Sequence, residues 1–429
     1  MAVLALDVGT SVIKAAAIAP TTGELVGPLI REACPLENPG PDQAVVDPFR
    51  LWDALVKAAS AAAAGHTIEG IGLATFTPGL ILLDERDEPL TPIITHLDRR
   101  SQPEAREIER ELGPAFLEST GNRPLPGGIS AVVFQHLHES QPELRRRLHR
   151  YLHVNGWICL KLTGVAAFDP ANACFTGLCS LMAEPDWSPR WCAYFGVAGA
   201  WLPPILPGNL TVGYLHSQGA EALGLPEGTP VKLGVPDTTA ALLAAGAQRD
   251  DLLHMVGTTQ VLAVLTDAPS PHSQRLTRHL GVGRQFVHVV HNPVGGVALE
   301  WMHRLCFADQ PDIEFYGATL EAARQRATSV IFDPPFLGGD RLEIEARHAG
   351  WQNLSLATHR LDLLAALLET MRRGHRGAMA ALERHQPPSR VFLSGGGADL
   401  VRRLLPEYSH GSVMMLEEAS LRGAARLFA

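Results

Sequence analysis

The 429-residue chain lacks paired cysteines, a basic excess and any long apolar run. Its six cysteines, Cys34, Cys159, Cys174, Cys179, Cys192 and Cys306, are scattered without a Cys-x-x-Cys pair. That spacing excludes a zinc ribbon or a disulfide framework and predicts reduced, mostly buried thiols. Lys and Arg number 36 against 45 Asp and Glu, a formal charge of -9. Phosphate backbones are held by clustered cations, so no nucleic-acid partner is expected. No uncharged apolar run approaches the length of a membrane span, and no membrane association is expected. The opening MAVLALDVGTS has no basic n-region and carries Asp7 inside its apolar run, so a cytoplasmic protein without a signal peptide is expected. Nor does the chain contain Gly-x-x-x-x-Gly-Lys-Ser/Thr, which excludes a P-loop as its phosphate site.

What is present is a composition of 46% hydrophobic and 19% charged residues, that of a soluble globular chain long enough for two domains. The informative stretch is Val231 to Gly246. An apolar run ends at Gly234, bends through Val235 and Pro236, and reaches Asp237 just before Thr238, Thr239 and an Ala/Leu helix. An acid there lies at the carboxyl end of a strand and the positive end of a helix, where open α/β sheets build ligand crevices. Capping the helix is the commonest task for such an Asp. Two further turns extend the pattern. Val3 to Leu6 reads as a strand, Asp7-Val8-Gly9-Thr10-Ser11 as a turn, and Val12 to Ile18, with Lys14, as the returning strand. A Gly/Thr/Ser turn offers N–H groups and hydroxyls to phosphate oxygens, and the Asp7 carboxylate beside it makes sense with Mg²⁺ between. Met255-Val256-Gly257-Thr258-Thr259-Gln260 repeats the motif, which suggests duplicated domains facing one ligand. Each turn by itself also reads as a plain hairpin.

The other elements follow from periodicity and punctuation. Pro48 to Ala64 reads as a helix, Gly70 to Ala74 and Gly79 to Asp84 as strands, and Thr95 to Arg100 as a polar cluster. There Asp98 and Arg100 either hold substrate hydroxyls or form a solvated pair. Ser101 to Leu112 and Gln141 to Leu152 read as helices on charge pattern, with His149 and His153 as surface residues. Trp187, Trp191 and Trp201 are expected in irregular surface structure. The Gly- and Pro-punctuated stretch His216 to Pro230 places a domain boundary between 228 and 229. In the second half, Val330 to Arg341 reads as a strand and a Pro/Gly loop, and Leu361 to Leu382 as a long helix broken softly at Gly374 and Gly377. Val391 to Ser394 reads as a strand running into Gly395, Gly396 and Gly397, where the backbone can lie flat against a planar or ribose-like group.

Taken in order, DVGTSVIK, GVPDTTAA, VGTTQVL and LSGGGADL resemble the FGGY family of carbohydrate kinases, within the actin-like ATPase superfamily, over nearly the whole chain. LKLTG, PPFLGGDR and EEASLRGAA add to the likeness. The resemblance implies an α/β fold of two ribonuclease-H-like domains, with ATP, Mg²⁺ and a sugar between them, and a possible homodimer. It implies Asp237 as general base toward the sugar hydroxyl, Asp7 near Mg²⁺, and Thr10 and Ser11, with Gly9 and Lys14, as the first phosphate loop. Gly257, Thr258 and Thr259 match the second phosphate loop, and Gly395, Gly396 and Gly397 the adenosine turn. Asp98, Arg100 and Thr77 fall at sugar-contacting positions. The substrate expected is a ketopentose such as xylulose, with another ketose or polyol, or a non-catalytic nucleotide binder, as alternatives. Departures cluster at the sugar side: Phe76-Thr77-Pro78-Gly79 stands where many xylulose kinases have Gln-Met-His-Gly, and His96 replaces an aromatic residue.

Overall fold

The computed structural model describes residues 2–257, 259–333, 342–345, 348–383, 387–405 and 412–429. Thr258 and the loop of PPFLGGDR lie outside the described residues. The chain forms two compact units. One comprises Met1–Ala247, Leu265–Val287 and Glu418–Ala429, the other Gln248–Val264 and His288–Glu417. The division does not follow the 228/229 boundary. Asp237 and its helix belong to the first unit, and the stretch read as a linker contains the helix Ser217–Leu223, closed by Gly224 in the left-handed region.

The first unit is built on one sheet. Strand Ala2–Val8 pairs antiparallel with Val12–Ile18, which pairs with Ile30–Ala33. On its other side Ala2–Val8 runs parallel to Ile68–Thr75, and that strand runs parallel to Pro230–Lys232 and Val235–Pro236. Parallel strands buried on both faces read as continuous apolar runs, and Ala2–Val8 is buried throughout. The helix Asp237–Ala245 and the C-terminal helix Ala419–Arg426 close one face, packing Ala240, Leu421, Ala424 and Ala425 onto Val3, Ala5, Ala74 and Val235. A second sheet joins Gly79–Leu83, Ile93–Thr95 and Arg150–His153.

The second unit repeats the arrangement. Leu252–Val256 pairs antiparallel with Gln260–Thr266 and parallel with Arg390–Ser394, which runs parallel to Ser412–Leu416. The helix Arg360–Ala381 packs Leu364, Leu368 and Met371 against Val294, Phe315 and Phe332.

Four expectations are corrected. Gln141 to Leu152 is not a helix: the preceding helix Ser130–Ser140 ends there, a four-residue turn of helix follows, and Arg150–His153 is a strand. His153 is therefore buried while His149 is exposed. Trp191 lies fully buried in the helix Pro189–Tyr194, edge-on to Phe116 at 4.9 Å. The long helix runs through Gly374 and Gly377 without a break, because tertiary packing overrides their low propensity; a Cβ at Gly374 would meet Asn292 at 2.5 Å.

The approach of the two helices behind the sheet depends on Gly423, where a Cβ would lie 1.7 Å from the Ala240 carbonyl oxygen. Gly423→Ala must push the C-terminal helix off the helix that Asp237 begins. A stability loss of about 1–3 kcal/mol is expected from such overpacking, read as a lowered denaturation midpoint. An unchanged midpoint would show that the helix pair yields without cost.

Candidate active site

Three neighbouring parallel strands end at the same edge of the first unit. Asp7 is in register with Ala74, and Val8 and Pro236 with Thr75, so Asp7 at one strand end and Asp237 just past another flank the end of Ile68–Thr75. Carboxyl ends of parallel strands are where α/β sheets hold ligands.

Asp237 is the first residue of its helix and half-buried. It does not act as the cap; Pro236 occupies that position with no side-chain cap bond. Its Oδ1 accepts from the Thr238 N–H at 2.6 Å and the Thr238 hydroxyl at 3.0 Å, and among the described residues Oδ2 has no hydrogen bond. The guanidinium of Arg278, itself fully buried, interacts electrostatically with Asp237 and Asp169 and donates to Thr239 Oγ1 at 2.8 Å.

Asp7 is buried at the end of its strand. Desolvation pushes its carboxyl up to about 7, Asp237 and Glu418 push the same way, and Lys14 opposes them. Lys14 Nζ is 3.9 Å from Asp7 but 2.7 Å from Glu418, so Glu418 holds the lysine. Gly9 closes the turn by donating its N–H to Val12 O at 3.1 Å, and Thr10 and the exposed Ser11 stand at its tip. Among the described residues no three His, Cys, Asp or Glu side chains form a metal cluster. A single buried carboxylate short of a counter-charge, beside a phosphate-sized turn, does fit a divalent cation whose remaining ligands are phosphate oxygens and water.

Thr77 follows the end of Ile68–Thr75 and is buried. Its hydroxyl donates to Asn172 Oδ1 at 2.6 Å. Asp98 is wholly buried, unlike a solvated pair. Its carboxylate accepts from the Ala44 N–H, the Arg100 N–H and both Nε and Nη2 of Arg100 at 2.8–3.1 Å. With its oxygens so occupied, Asp98 fixes the Arg100 guanidinium. The edge-on pair of His96 and Phe76, at 6.3 Å, joins this segment to the one carrying Thr77.

In the second unit the corresponding turn also lies beside a strand end. Gly257 donates its N–H to Thr259 O at 2.9 Å and receives Gly296 N–H at 3.0 Å, and Thr259 Oγ1 lies 2.8 Å from His291 Nε2. Gly395, at φ +94°, has no room for a Cβ, which would lie 2.3 Å from Val256 O, and Gly397 donates to the same carbonyl at 3.0 Å. Gly257, Thr259 and the glycine triplet therefore share one edge. Thr258 lies outside the described residues.

Several residues of the site escaped the sequence reading. Asp169, Asn172 and His153 form a buried cluster beside Thr77, and Arg278 connects it to the helix of Asp237. Asp169-Pro170 does carry a signal, an N-cap followed by proline at the first helical position. Nothing in the local sequence marks Arg278.

Comparison with known proteins agrees with this architecture. The family model described as the FGGY family of carbohydrate kinases, N-terminal domain, matches residues 2–244. The L-xylulose/3-keto-L-gulonate kinase of Escherichia coli K12 is 27% identical over 439 residues, covering 98% of this chain and 86% of that protein. The L-fuculokinase of the same organism is 26% identical, covering 77% of this chain and 70% of that protein. The solved structure of a ligand-bound xylulose kinase from Lactobacillus acidophilus superposes with a TM-score of 0.89 at 21% identity, covering 100% of this chain and 88% of that one. Among the described residues no helix is long and apolar enough to cross a membrane. With one strand pattern repeated in both units and a family match over more than half its length, the chain belongs to the FGGY family of carbohydrate kinases.

Proposed function

We propose that this kinase transfers the γ-phosphoryl group of ATP to a hydroxyl of a ketose, a ketopentose such as xylulose being the leading candidate. The observation that carries the proposal is the pair Asp7 and Asp237 at the ends of strands flanking Ile68–Thr75. One carboxylate serves the metal side and the other the acceptor hydroxyl. The relatives named for L-xylulose and L-fuculose phosphorylation favour a ketose.

Phosphoryl transfer asks the protein chiefly for positioning and charge neutralisation. Asp237 accepts the proton of the sugar hydroxyl through Oδ2 as the sugar oxygen bonds to the γ-phosphorus; the bond from phosphorus to the ADP oxygen breaks and ADP leaves. Thr238 steadies the other oxygen of the base. Asp7 would hold Mg²⁺, which supplies neutralisation of the phosphate oxygens when bound. In this reading the Gly9-Thr10-Ser11 turn and Lys14 serve as one phosphate loop, Gly257 and Thr259 belong to a second, and Gly395, Gly396 and Gly397 serve as the adenosine turn. Arg100, held by Asp98, and Thr77 contact sugar hydroxyls.

Coupled ADP release with Mg-ATP is measured against D-xylulose, L-xylulose, L-fuculose, gluconate and glycerol. Asp237→Asn is expected to lower kcat by roughly 10²- to 10⁴-fold with ATP binding retained. Full activity in this variant would remove Asp237 from the role of base.

Asp7 supplies a second expectation. Its carboxyl is raised from 3.8 to about 7 by burial, so the folded state holds a proton that the unfolded state has released over that range. The folded state is therefore penalised increasingly as pH climbs from about 4 to about 7, and fully above that. In metal-free buffer, denaturation midpoints should fall between pH ~5 and pH ~8 in the wild type, and Asp7→Asn should flatten the fall. An equal slope in both proteins would assign it to other groups.

A further inference from the structure

Behind Thr77 the first unit buries a chain of polar side chains whose hydrogen positions are forced by chemistry. It begins at Asp169, wholly buried at the start of the helix Pro170–Cys174. Its carboxylate receives four N–H donors: backbone Ala171 and Asn172, and the side-chain amides of Asn155 and Asn172. Burial lifts this carboxyl to about 6, while the Asn172 and Ala171 donors and Arg278 oppose the lift. A carboxyl group met by N–H donors alone acts as an acceptor, the ionised form.

That requirement fixes Asn172. Its Nδ2 donates to Asp169 Oδ2 at 2.6 Å, so the atom facing the other way is Oδ1, which can only accept. Two groups meet Oδ1: the Thr77 hydroxyl at 2.6 Å and His153 Nδ1 at 3.2 Å. Both must therefore donate. His153 is buried, and desolvation lowers its pKa to about 3, so its ring is neutral with the proton on Nδ1 and a bare Nε2. Ser130 Oγ, 2.8 Å from Nε2, donates to it and in turn accepts from the Tyr151 hydroxyl at 2.6 Å. Every hydrogen along the relay is thus assigned without choice.

The consequence falls on Thr77. Its only hydroxyl hydrogen is committed to Asn172, which leaves Oγ1 with lone pairs alone. The next residue, Pro78, has no N–H to offer. We infer that Thr77 is an acceptor-only specificity residue, oriented by Asn172 and His153, which selects a sugar presenting a hydroxyl donor at this edge and rejects one presenting a carbonyl or carboxylate oxygen there. Asn172, His153, Ser130 and Asp169 are positioning residues that act through Thr77. The inference rests on the proposed sugar kinase reading and narrows its substrate class to a polyhydroxylated sugar with a hydroxyl at the carbon facing Thr77.

The test compares wild type, Thr77→Val and Thr77→Ser on the best-used sugar of the panel and on its monodeoxy analogues, by ADP release and by calorimetric binding. Thr77→Val keeps the shape and removes the acceptor; KM should rise about tenfold, the size of one neutral hydrogen bond, with kcat nearly kept. Thr77→Ser should restore KM. One deoxy analogue should bind wild type as weakly as the parent binds Thr77→Val and be indifferent to the substitution, which identifies the carbon. An unchanged KM in Thr77→Val overturns the inference while leaving the kinase reading standing. If the wild type binds a sugar without turning it over, the kinase reading fails and the same comparison is read on Kd. A protein that neither binds nor turns over any of the sugars overturns both. Independently of activity and of how well Thr77→Val folds, ¹⁵N spectroscopy of wild type at pH ~7 should show His153 protonated on Nδ1 and bare on Nε2. The reverse tautomer would overturn the forced orientation.

Discussion

The site depends first on one strand held between two others. Ile68–Thr75 runs parallel to Ala2–Val8 on one side and to Val235–Pro236 on the other, in a register that sets Asp7 and Asp237 at a common edge. Those carboxylates are 230 positions apart by their numbering, and no local interaction could join them. Parallel pairing needs crossovers, and the chain supplies long ones, returning to the sheet only after a second sheet and several helices. The same pairing explains the C-terminal helix, because Ala419–Arg426 covers the face on which Asp237's helix lies. The acid's position therefore follows from burial of an Ala- and Val-rich layer rather than from its own hydrogen bonds.

The two units solve one structural problem twice and keep different chemistry at the answer. Each has a strand paired antiparallel to its successor across a Gly/Thr turn and parallel to a later strand. At the first turn the preceding strand carries Asp7; at the equivalent place in the second stands Met255. The second unit instead places Gly395 and Gly397 beside its turn, where a Cβ on Gly395 would strike the Val256 carbonyl and one on Gly397 the Val256 side chain.

Residues whose placement is set by their neighbours were legible in the sequence. Asp7 and Asp237 stand next to glycine, proline and hydroxyl residues that make turns, and turn chemistry is local. What could not be read were partners distant in the chain. Thr77 and Asn172 are 95 residues apart, and Thr239 and Arg278 are 39 apart. Charge pattern misled at Gln141 to Leu152, since four arginines and a glutamate suit a helix but cannot reveal that Tyr151 and Leu152 are buried in a strand. His153 was assigned to the surface for the same reason. Asp98 shows the converse: the residue was singled out, yet only the fold reveals that its oxygens are filled by Arg100 and Ala44.

Burying so much polar matter beside a site calls for a physical reason. Asp169, Asn172, His153 and Arg278 are each almost fully enclosed, and a buried polar group is costly unless every hydrogen finds an acceptor. Replacing such a cluster with apolar residues of similar volume is often neutral or stabilising. What an apolar core cannot do is tell a hydroxyl which way to point. Sugars differ from one another chiefly in where they carry hydroxyl and carbonyl oxygens, and a threonine free to rotate would accept or donate indifferently. Anchoring its hydrogen to an amide, and the amide to a carboxylate, turns an ambiguous hydroxyl into a directional one. The expense of burial is thereby tied to discrimination, and the cluster belongs to the chemistry of the site more than to the stability of the fold.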